Sequence, residues 1–458
     1  MASSKQSSQA LNTEPTPSDS PARELPLIFY LTIASHPRPE LIGARKALPN
    51  GTAIFLGRSS SSMGPGAFNH ASISRQHARV AAERGGLMID DLGSHNGTSV
   101  NGSTCSNARL SPGDVIGVGP VLLVVHKAPA EYEIRRHPAL VGTSYALATV
   151  LEDIEKVAPF PRTNVLVRGE TGTGKELVAS AIHAASGRPG KLLSVSCATL
   201  TGTLLQSEIF GHEKGAFTDA KAARPGLIES AHQGTLFLDE IGDASMDLQV
   251  SLLRFLETGE TRRLGSDAAK KVDVRIIAAS NLDFEALIRE RRFREELFSR
   301  LAGWVIKLPP LRDRAEDIPP IAAHFVRSFT GRDVPMHGRL MSALLLYAWP
   351  QNVRELKSVV ERAVIEASGE EPIPLSPYLD RALSQQRRQP AGAPAKAPIE
   401  RGAKSAGKPG KARLSEVLTS FKGNVRKASA ELAVSRNTIY RWCEEYGIDP
   451  GAFRPDGE

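Results

Sequence analysis

The chain has 458 residues, 41% of them hydrophobic, and a formal net charge of +7. That is apolar material for about three globular domains, and no apolar run is long enough to span a bilayer. The three cysteines, Cys105, Cys197 and Cys443, are too far apart for a disulfide framework or paired metal ligands, which points to a reducing cytoplasm. Residues 1–24 are rich in Ser, Thr and Pro without an apolar centre, so they read as a disordered tail and not as a secretory signal.

From 25 to 130, short alternating runs (Ile28–Ile33, Thr52–Leu56, Ala78–Ala81, Leu87–Ile89, Val121–Val125) are separated by Gly, Asn and Pro, the rhythm of an all-β sandwich. After Pro129 the period changes. Ser144–Ala158 has helical spacing, and Asn164–Arg168, Leu192–Ser196, Thr235–Leu238 and Val274–Ala279 are buried-strand candidates with helices between them. Residues 137–384 therefore read as a parallel α/β domain closed by a helical lid over Glu316–Ile365. Residues 385–412 form a flexible linker of Pro, Ala, Gly and Lys. Between Gln386 and Arg413 stand Arg387, Arg388, Lys396, Arg401, Lys404, Lys408, Lys411 and Arg413 against Glu400 alone, an excess equal to the whole chain's +7. Residues 413–458 carry three short helical patterns, an all-α module.

Gly169, Glu170, Thr171, Gly172, Thr173, Gly174, Lys175 and Glu176 follow a strand and open a helix. Backbone N–H groups in such a loop cradle phosphate, and Lys175 reaches its outer oxygens. The usual pattern has Ser or Thr where Glu176 stands. Downstream, Leu236-Phe237-Leu238 is an apolar strand that delivers Asp239 to Mg²⁺ and Glu240 to an attacking water.

On these residues the chain resembles the sigma-54-dependent activators, or bacterial enhancer-binding proteins, of the AAA+ superfamily, in which Glu commonly follows the P-loop lysine. The stretch Glu208–Ala220 resembles their sigma-54 contact loop, which implies contact through Gly215, Ala216, Phe217, Thr218, Asp219 and Ala220, with Asp219 where the family has glycine. The resemblance further implies that Asn281 is a nucleotide sensor, that Arg294 and Arg300 are fingers acting on a neighbouring subunit, that Arg354 is a second sensor, and that Val141 and Gly142 hold adenine. Ser196 stands where the family often has an Asn that restrains the acid corresponding to Glu240.

The sandwich resembles a forkhead-associated domain. Arg58, Ser74 and Arg75 would take a phosphothreonine phosphate, and Ser94, Asn96 and Asn101 would hold the peptide backbone. His77 is expected to be a scaffold residue. The tail resembles a Fis-type helix-turn-helix, in which Ala428, Leu432, Ile439 and Trp442 would form a small core, Ser435 would cap a helix, and Arg436, Asn437, Thr438 and Arg441 would face DNA.

The implied function is an ATP- and Mg²⁺-dependent activator, a homo-oligomer usually hexameric in the family, with no membrane role. Its partners would be sigma-54 RNA polymerase, upstream enhancer DNA and a phosphothreonine protein or Ser/Thr kinase. The rival reading is a phosphopeptide-gated DNA-binding regulator that no longer remodels sigma-54.

Overall fold

The computed structural model describes residues 26–199, 202–217, 220–387 and 411–421, together with 428, 432, 439, 442–443 and 446–448. The chain divides into two compact units, Met1–Ala391 and Gly392–Glu458.

Among the described residues, the first unit opens on ten strands: β1 (Leu27–Ser35), β2 (Arg45–Leu48), β3 (Ala53–Leu56), β4 (Ala78–Glu83), β5 (Gly86–Asp91), β6 (Thr98–Val100), β7 (Ser103–Cys105), β8 (Asn107–Leu110), β9 (Val115–Val118) and β10 (Val121–Pro129). They make two sheets, ordered β2-β1-β10-β9-β6-β7 and β3-β4-β5-β8. Leu31, Ile33, Leu56, Ile89, Ile116, Leu123 and Val125 fill the space between the sheets.

Strand side chains alternate between faces, yet Val121–Val125 is apolar throughout. Both of its faces are covered. Val121, Leu123 and Val125 point into the sandwich, whereas Val124, with Val115 and Ala34, enters a second core built with the lid. A sheet covered on both sides reads as a continuous apolar run. Each fully buried valine there contributes about 1.5–3 kcal/mol.

The central domain follows: α1 (Tyr145–Val157), β11 (Val165–Arg168), α2 (Lys175–Ala185), β12 (Leu192–Ser196), α3 (Gly202–Phe210), β13 (Gly211–His212), β14 (Arg224–Pro225), α4 (Leu227–Ser230), β15 (Thr235–Asp239), α5 (Met246–Thr258), β16 (Glu260–Arg262), β17 (Ala269–Lys271), β18 (Arg275–Ser280), α6 (Phe284–Arg289), α7 (Glu295–Leu301) and β19 (Trp304–Lys307). Five strands form a parallel sheet ordered β12-β15-β18-β11-β19. Val165, Val167, Phe237 and Ile277 face α1 and α2. Leu166, Leu236, Leu238 and Ile276 face the cluster of α3, α5, α6 and α7. In such a sheet ligands gather beyond the carboxyl ends of the strands. Here β15, β18 and β11 lie side by side, so the residues following each of them share one rim.

The lid comprises α8 (Ile318–Thr330), α9 (Gly338–Leu346), α10 (Asn352–Ala367) and α11 (Pro377–Ser384), packed around Trp349. In the second unit, α12 (Lys411–Ser420) supplies Leu414, Val417 and Leu418 to one apolar cluster with Ala428, Ile439, Trp442 and Cys443, against which Leu432 packs. Ser435 lies outside the described residues. Among the described residues, no helix is long and apolar enough to cross a membrane.

His126 on β10 is 4% exposed, stacks on Tyr30 and pairs through Nε2 with Thr32 Oγ1 at 2.8 Å. Burial first, and the Arg45 cation second, push its pKa from 6.5 to about 4. Between those values the unfolded chain takes up a proton that the folded chain refuses, so stability falls as pH drops from 6.5 to about 4. The effect is roughly 3 kcal/mol at one unit per 1.36 kcal/mol. Denaturant midpoints measured across this range should fall less steeply for His126→Gln than for the unmodified chain. Parallel curves would refute a neutral buried imidazole.

Candidate nucleotide site and its neighbours

The glycine loop runs from Gly169 to Gly174 between β11 and α2. Gly172 has φ +78°, and a Cβ there would sit 2.1 Å from the Gln351 carbonyl, so the close approach to the lid demands glycine. In return, the Gly172 carbonyl accepts from the N–H groups of Val353 and Arg354 at 3.0 and 3.3 Å, capping the first turn of α10. Lys175 Nζ donates to the carbonyls of Gly169 and Glu170 at 3.0 and 3.2 Å. Burial lowers its pKa, against the opposing pull of Asp239 and Glu240. Thr173 Oγ1 donates to the Glu170 carbonyl at 2.8 Å, while Glu176 is exposed in the first turn of α2.

β15 ends at Asp239, whose pKa is raised by burial, with the Lys175 cation acting in the opposite direction. Glu240 follows in left-handed backbone, φ 53°. Its Oε2 accepts from Ser196 Oγ at 2.8 Å. The serine hydroxyl thus reaches the acid although it is shorter than an asparagine amide. Asn281, directly after β18, donates through Nδ2 to Thr171 Oγ1 at 3.1 Å. The structure therefore brings Lys175, Asp239, Glu240, Asn281 and Arg354 to one rim. Arg294 and Arg300 have other partners, Glu296 at 3.5 Å and Glu257 at 3.8 Å. Arg294 Nε is buried with no hydrogen bond.

Spacing alone does not reveal three further groups. Arg312 forms a two-pronged pair with Glu170, at 2.8 and 2.6 Å, and holds its carboxyl below the usual range. Asn352 Nδ2 donates to Glu170 Oε2 and to the Thr171 carbonyl at 3.1 and 3.0 Å. Asp317, fully buried, accepts from the N–H groups of Thr143 and Ser144 at 2.6 and 2.8 Å and from Ser144 Oγ at 2.6 Å. It holds the turn that contains Val141 and Gly142, and a Cβ on Gly142 would lie 2.7 Å from its carboxyl.

Among the described residues, no three His, Cys, Asp or Glu converge as a metal cage. Mg²⁺ commonly takes one or two carboxylates and shares phosphate oxygens. Asp239, half-buried beside the phosphate loop, fits that role.

The loop after α3 is closed by Gly215 N–H to the Ala220 carbonyl at 2.8 Å and Ala220 N–H to the Phe217 carbonyl at 2.9 Å. Phe217 stands edge-on to His212 at 5.0 Å, and Ala216 lies near Gly265. Paired β13 and β14 form its base. Thr218 and Asp219 lie outside the described residues.

At one end of the sandwich Arg58 and Arg75 are exposed, with Ser74, Ser94 and Asn96 beside them. Arg58 N–H donates to the Ser74 carbonyl at 2.9 Å, and a Cβ on Gly57 would meet the Arg75 carbonyl at 2.4 Å. Ser74 Oγ accepts from His95 N–H at 3.1 Å, and Asn96 Nδ2 donates to the Ser72 carbonyl at 2.8 Å. Ser94 Oγ donates to Asp91 Oδ1 at 2.5 Å. His77, fully buried, accepts from Ser74 N–H at 3.2 Å and pairs with the Gly97 carbonyl at 3.1 Å. Asn101 does not join this group through its amide, which donates to Asp114 at 2.9 Å and accepts from Val115 N–H at 2.9 Å. Arg436, Asn437, Thr438 and Arg441 lie outside the described residues.

Residues 140–307 match the model of the Sigma-54 interaction domain, 312–393 that of an AAA+ ATPase lid domain and 54–119 that of an FHA domain. Fold and site together define an AAA+ domain with its lid, preceded by a forkhead-associated domain. The chain is 44% identical over 321 residues to Regulatory protein AtoC of Escherichia coli K12, covering 68% of each. It is 49% identical over 236 residues to Transcriptional regulatory protein ZraR of the same strain, covering 50% of this chain and 53% of that one. It thus spans about two thirds of the first relative and half of the second. A crystal structure of NtrX from Brucella abortus is 32% identical with a TM-score of 0.50, covering 67% of this chain and 69% of that one. The chain belongs to the sigma-54-dependent transcriptional regulators.

Proposed function

We propose that the chain hydrolyses ATP to open sigma-54 promoters and that phosphothreonine recognition regulates it. The observation that carries this reading is the shared rim of β11, β15 and β18, where Lys175, Asp239, Glu240 and Asn281 meet, in a chain that carries a sigma-54 interaction domain. Lys175 exchanges its two loop carbonyls for β- and γ-phosphate oxygens. Asp239 holds Mg²⁺, which neutralises phosphate charge when bound. Glu240, released from Ser196, orients the water whose oxygen bonds to the γ-phosphorus as the bond to the β-γ bridging oxygen breaks, yielding ADP and phosphate. Val141 and Gly142 flank adenine. Arg294 and Arg300 are free of the phosphate loop of their own subunit and act on a neighbour's, hence a ring, hexameric as is usual in the family. Phe217 and its loop carry the contact to sigma-54. Open-complex formation by the full chain at a sigma-54 promoter, with ATP or a non-hydrolysable analogue, is the direct test.

The basic linker and tail supply DNA affinity through phosphates and a helix-turn-helix. The exposed Arg58 and Arg75, with Ser74 and Asn96, take the phosphopeptide. Arg58→Ala should weaken a phosphothreonine peptide, selected from a library by the full chain, by the ~1.5–3 kcal/mol of a hydrogen bond to a charged group. Calorimetric titration reads this, and an unchanged affinity would remove Arg58 from the site.

A further inference from the structure

Seven residues, Leu311–Asp317, form a 3-10 segment between β19 and α8. Three of its side chains and one backbone N–H hold neighbouring parts of the domain. Leu311 N–H donates to Asn352 Oδ1 at 2.8 Å. Arg312 grips Glu170 of the phosphate loop. Arg314, 4% exposed, donates through Nη2 to the Thr173 carbonyl of the same loop at 3.3 Å. Asp317 holds the turn at Thr143 and Ser144. One short segment therefore fixes both loops that would enclose a nucleotide.

Its other side meets the N-terminal sandwich. Glu316, 8% exposed, packs 3.6 Å from His126 Nδ1 on β10, a buried nitrogen without a hydrogen bond. Val124 of β10 and Val115 of β9 share one core with Leu311, Ala315 and Ile318. Val115 is also the residue whose N–H is held by Asn101, at the turn after β6. A cleft of about 310 Å³ borders the segment, lined by His126, Lys127, Tyr145, Arg312 and Glu316 among others, so it has space on one side to shift. Arg314 already departs from helical backbone, at φ −133° and ψ 52°.

We propose that Leu311–Asp317 is a relay through which the position of the forkhead-associated domain on the lid sets the geometry of both nucleotide loops, with His126 and Arg312 as its two positioning residues. Packed elements shift between discrete arrangements and do not bend continuously. A change at β10 therefore moves Glu316, and with it the Arg312–Glu170 pair four residues earlier. The proposal rests on the nucleotide reading above. It adds that ATP affinity depends on a residue of the N-terminal domain that touches neither nucleotide loop.

Coupling of this kind is demonstrated by a double-mutant cycle, not by proximity. Mg²⁺-ATP is titrated calorimetrically into the full chain and into His126→Ala, Arg312→Lys and the double variant. The relay predicts that each single change weakens ATP at least threefold, and that the double variant departs from the product of the two by at least threefold. A purely structural role for His126 lowers the melting temperature and leaves the affinity of the folded protein unchanged. Glu316→Gln, which preserves volume, replaces His126→Ala in the cycle if that variant does not fold. Factors that multiply, or a His126→Ala chain with unaltered affinity, overturn the relay. An unmodified chain that binds no ATP overturns the nucleotide reading itself, and the two failures are distinct.

Discussion

Glu240→Gln is expected to bind ATP as the unmodified chain does and to turn it over about 10²–10⁴ times more slowly, the range for loss of a positioned acid–base group. The substitution keeps size and shape, so the left-handed backbone at Glu240 and the approach of Ser196 are preserved. Asp239 and Lys175 would remain to hold Mg²⁺ and phosphate, so binding should survive. What would be lost is the carboxylate proposed to orient the attacking water and take its proton. Single-turnover hydrolysis read beside calorimetric binding separates the two quantities. Near-normal turnover would move the general base elsewhere on the rim.

A second large effect is expected at Asp317, a residue remote in sequence from everything it holds. Asp317→Ala removes three hydrogen bonds, to Thr143 N, Ser144 N and Ser144 Oγ. It also leaves Arg314, buried and 4.0 Å away, without its countercharge. Removing one member of a buried pair costs about 3–5 kcal/mol. Asp317→Asn should fare little better, because one end of its amide presents N–H groups to N–H donors. The readout is the denaturant midpoint of the central domain, followed by intrinsic fluorescence. An unshifted midpoint for Asp317→Ala would mean that the carboxylate contributes nothing net.

The parts of the site that sequence makes legible are those encoded within a few residues. The glycines from 169 to 174, the apolar strand before Asp239 and the Phe217 loop each stand as continuous runs, because the local backbone dictates them. The strands of the sandwich are legible for the same reason. What covers the outer face of β10 is not, since a run such as Val121–Val125 reports that both faces are buried without naming the neighbour. The short strand β19 is equally mute, a four-residue piece with too little pattern to set it apart from a helix end. Long-range polar contacts leave no local trace at all: Arg312 and Glu170 are 142 positions apart, and Asp317 and Thr143 are 174 apart. Ser196 shows the opposite failure. Its identity is plain in sequence, but only the geometry shows its hydroxyl reaching Glu240.

If this chain hydrolyses ATP to open a sigma-54 promoter, the melted DNA itself should report it. The direct measurement is permanganate footprinting of the melted region on a supercoiled template carrying an upstream binding site, with sigma-54 polymerase and the purified full chain. Melting is expected with ATP, none with a non-hydrolysable analogue, and none with Phe217→Ala although that variant still hydrolyses ATP. A chain that hydrolyses ATP normally and melts no promoter would instead be a DNA-binding regulator whose loop no longer engages sigma-54.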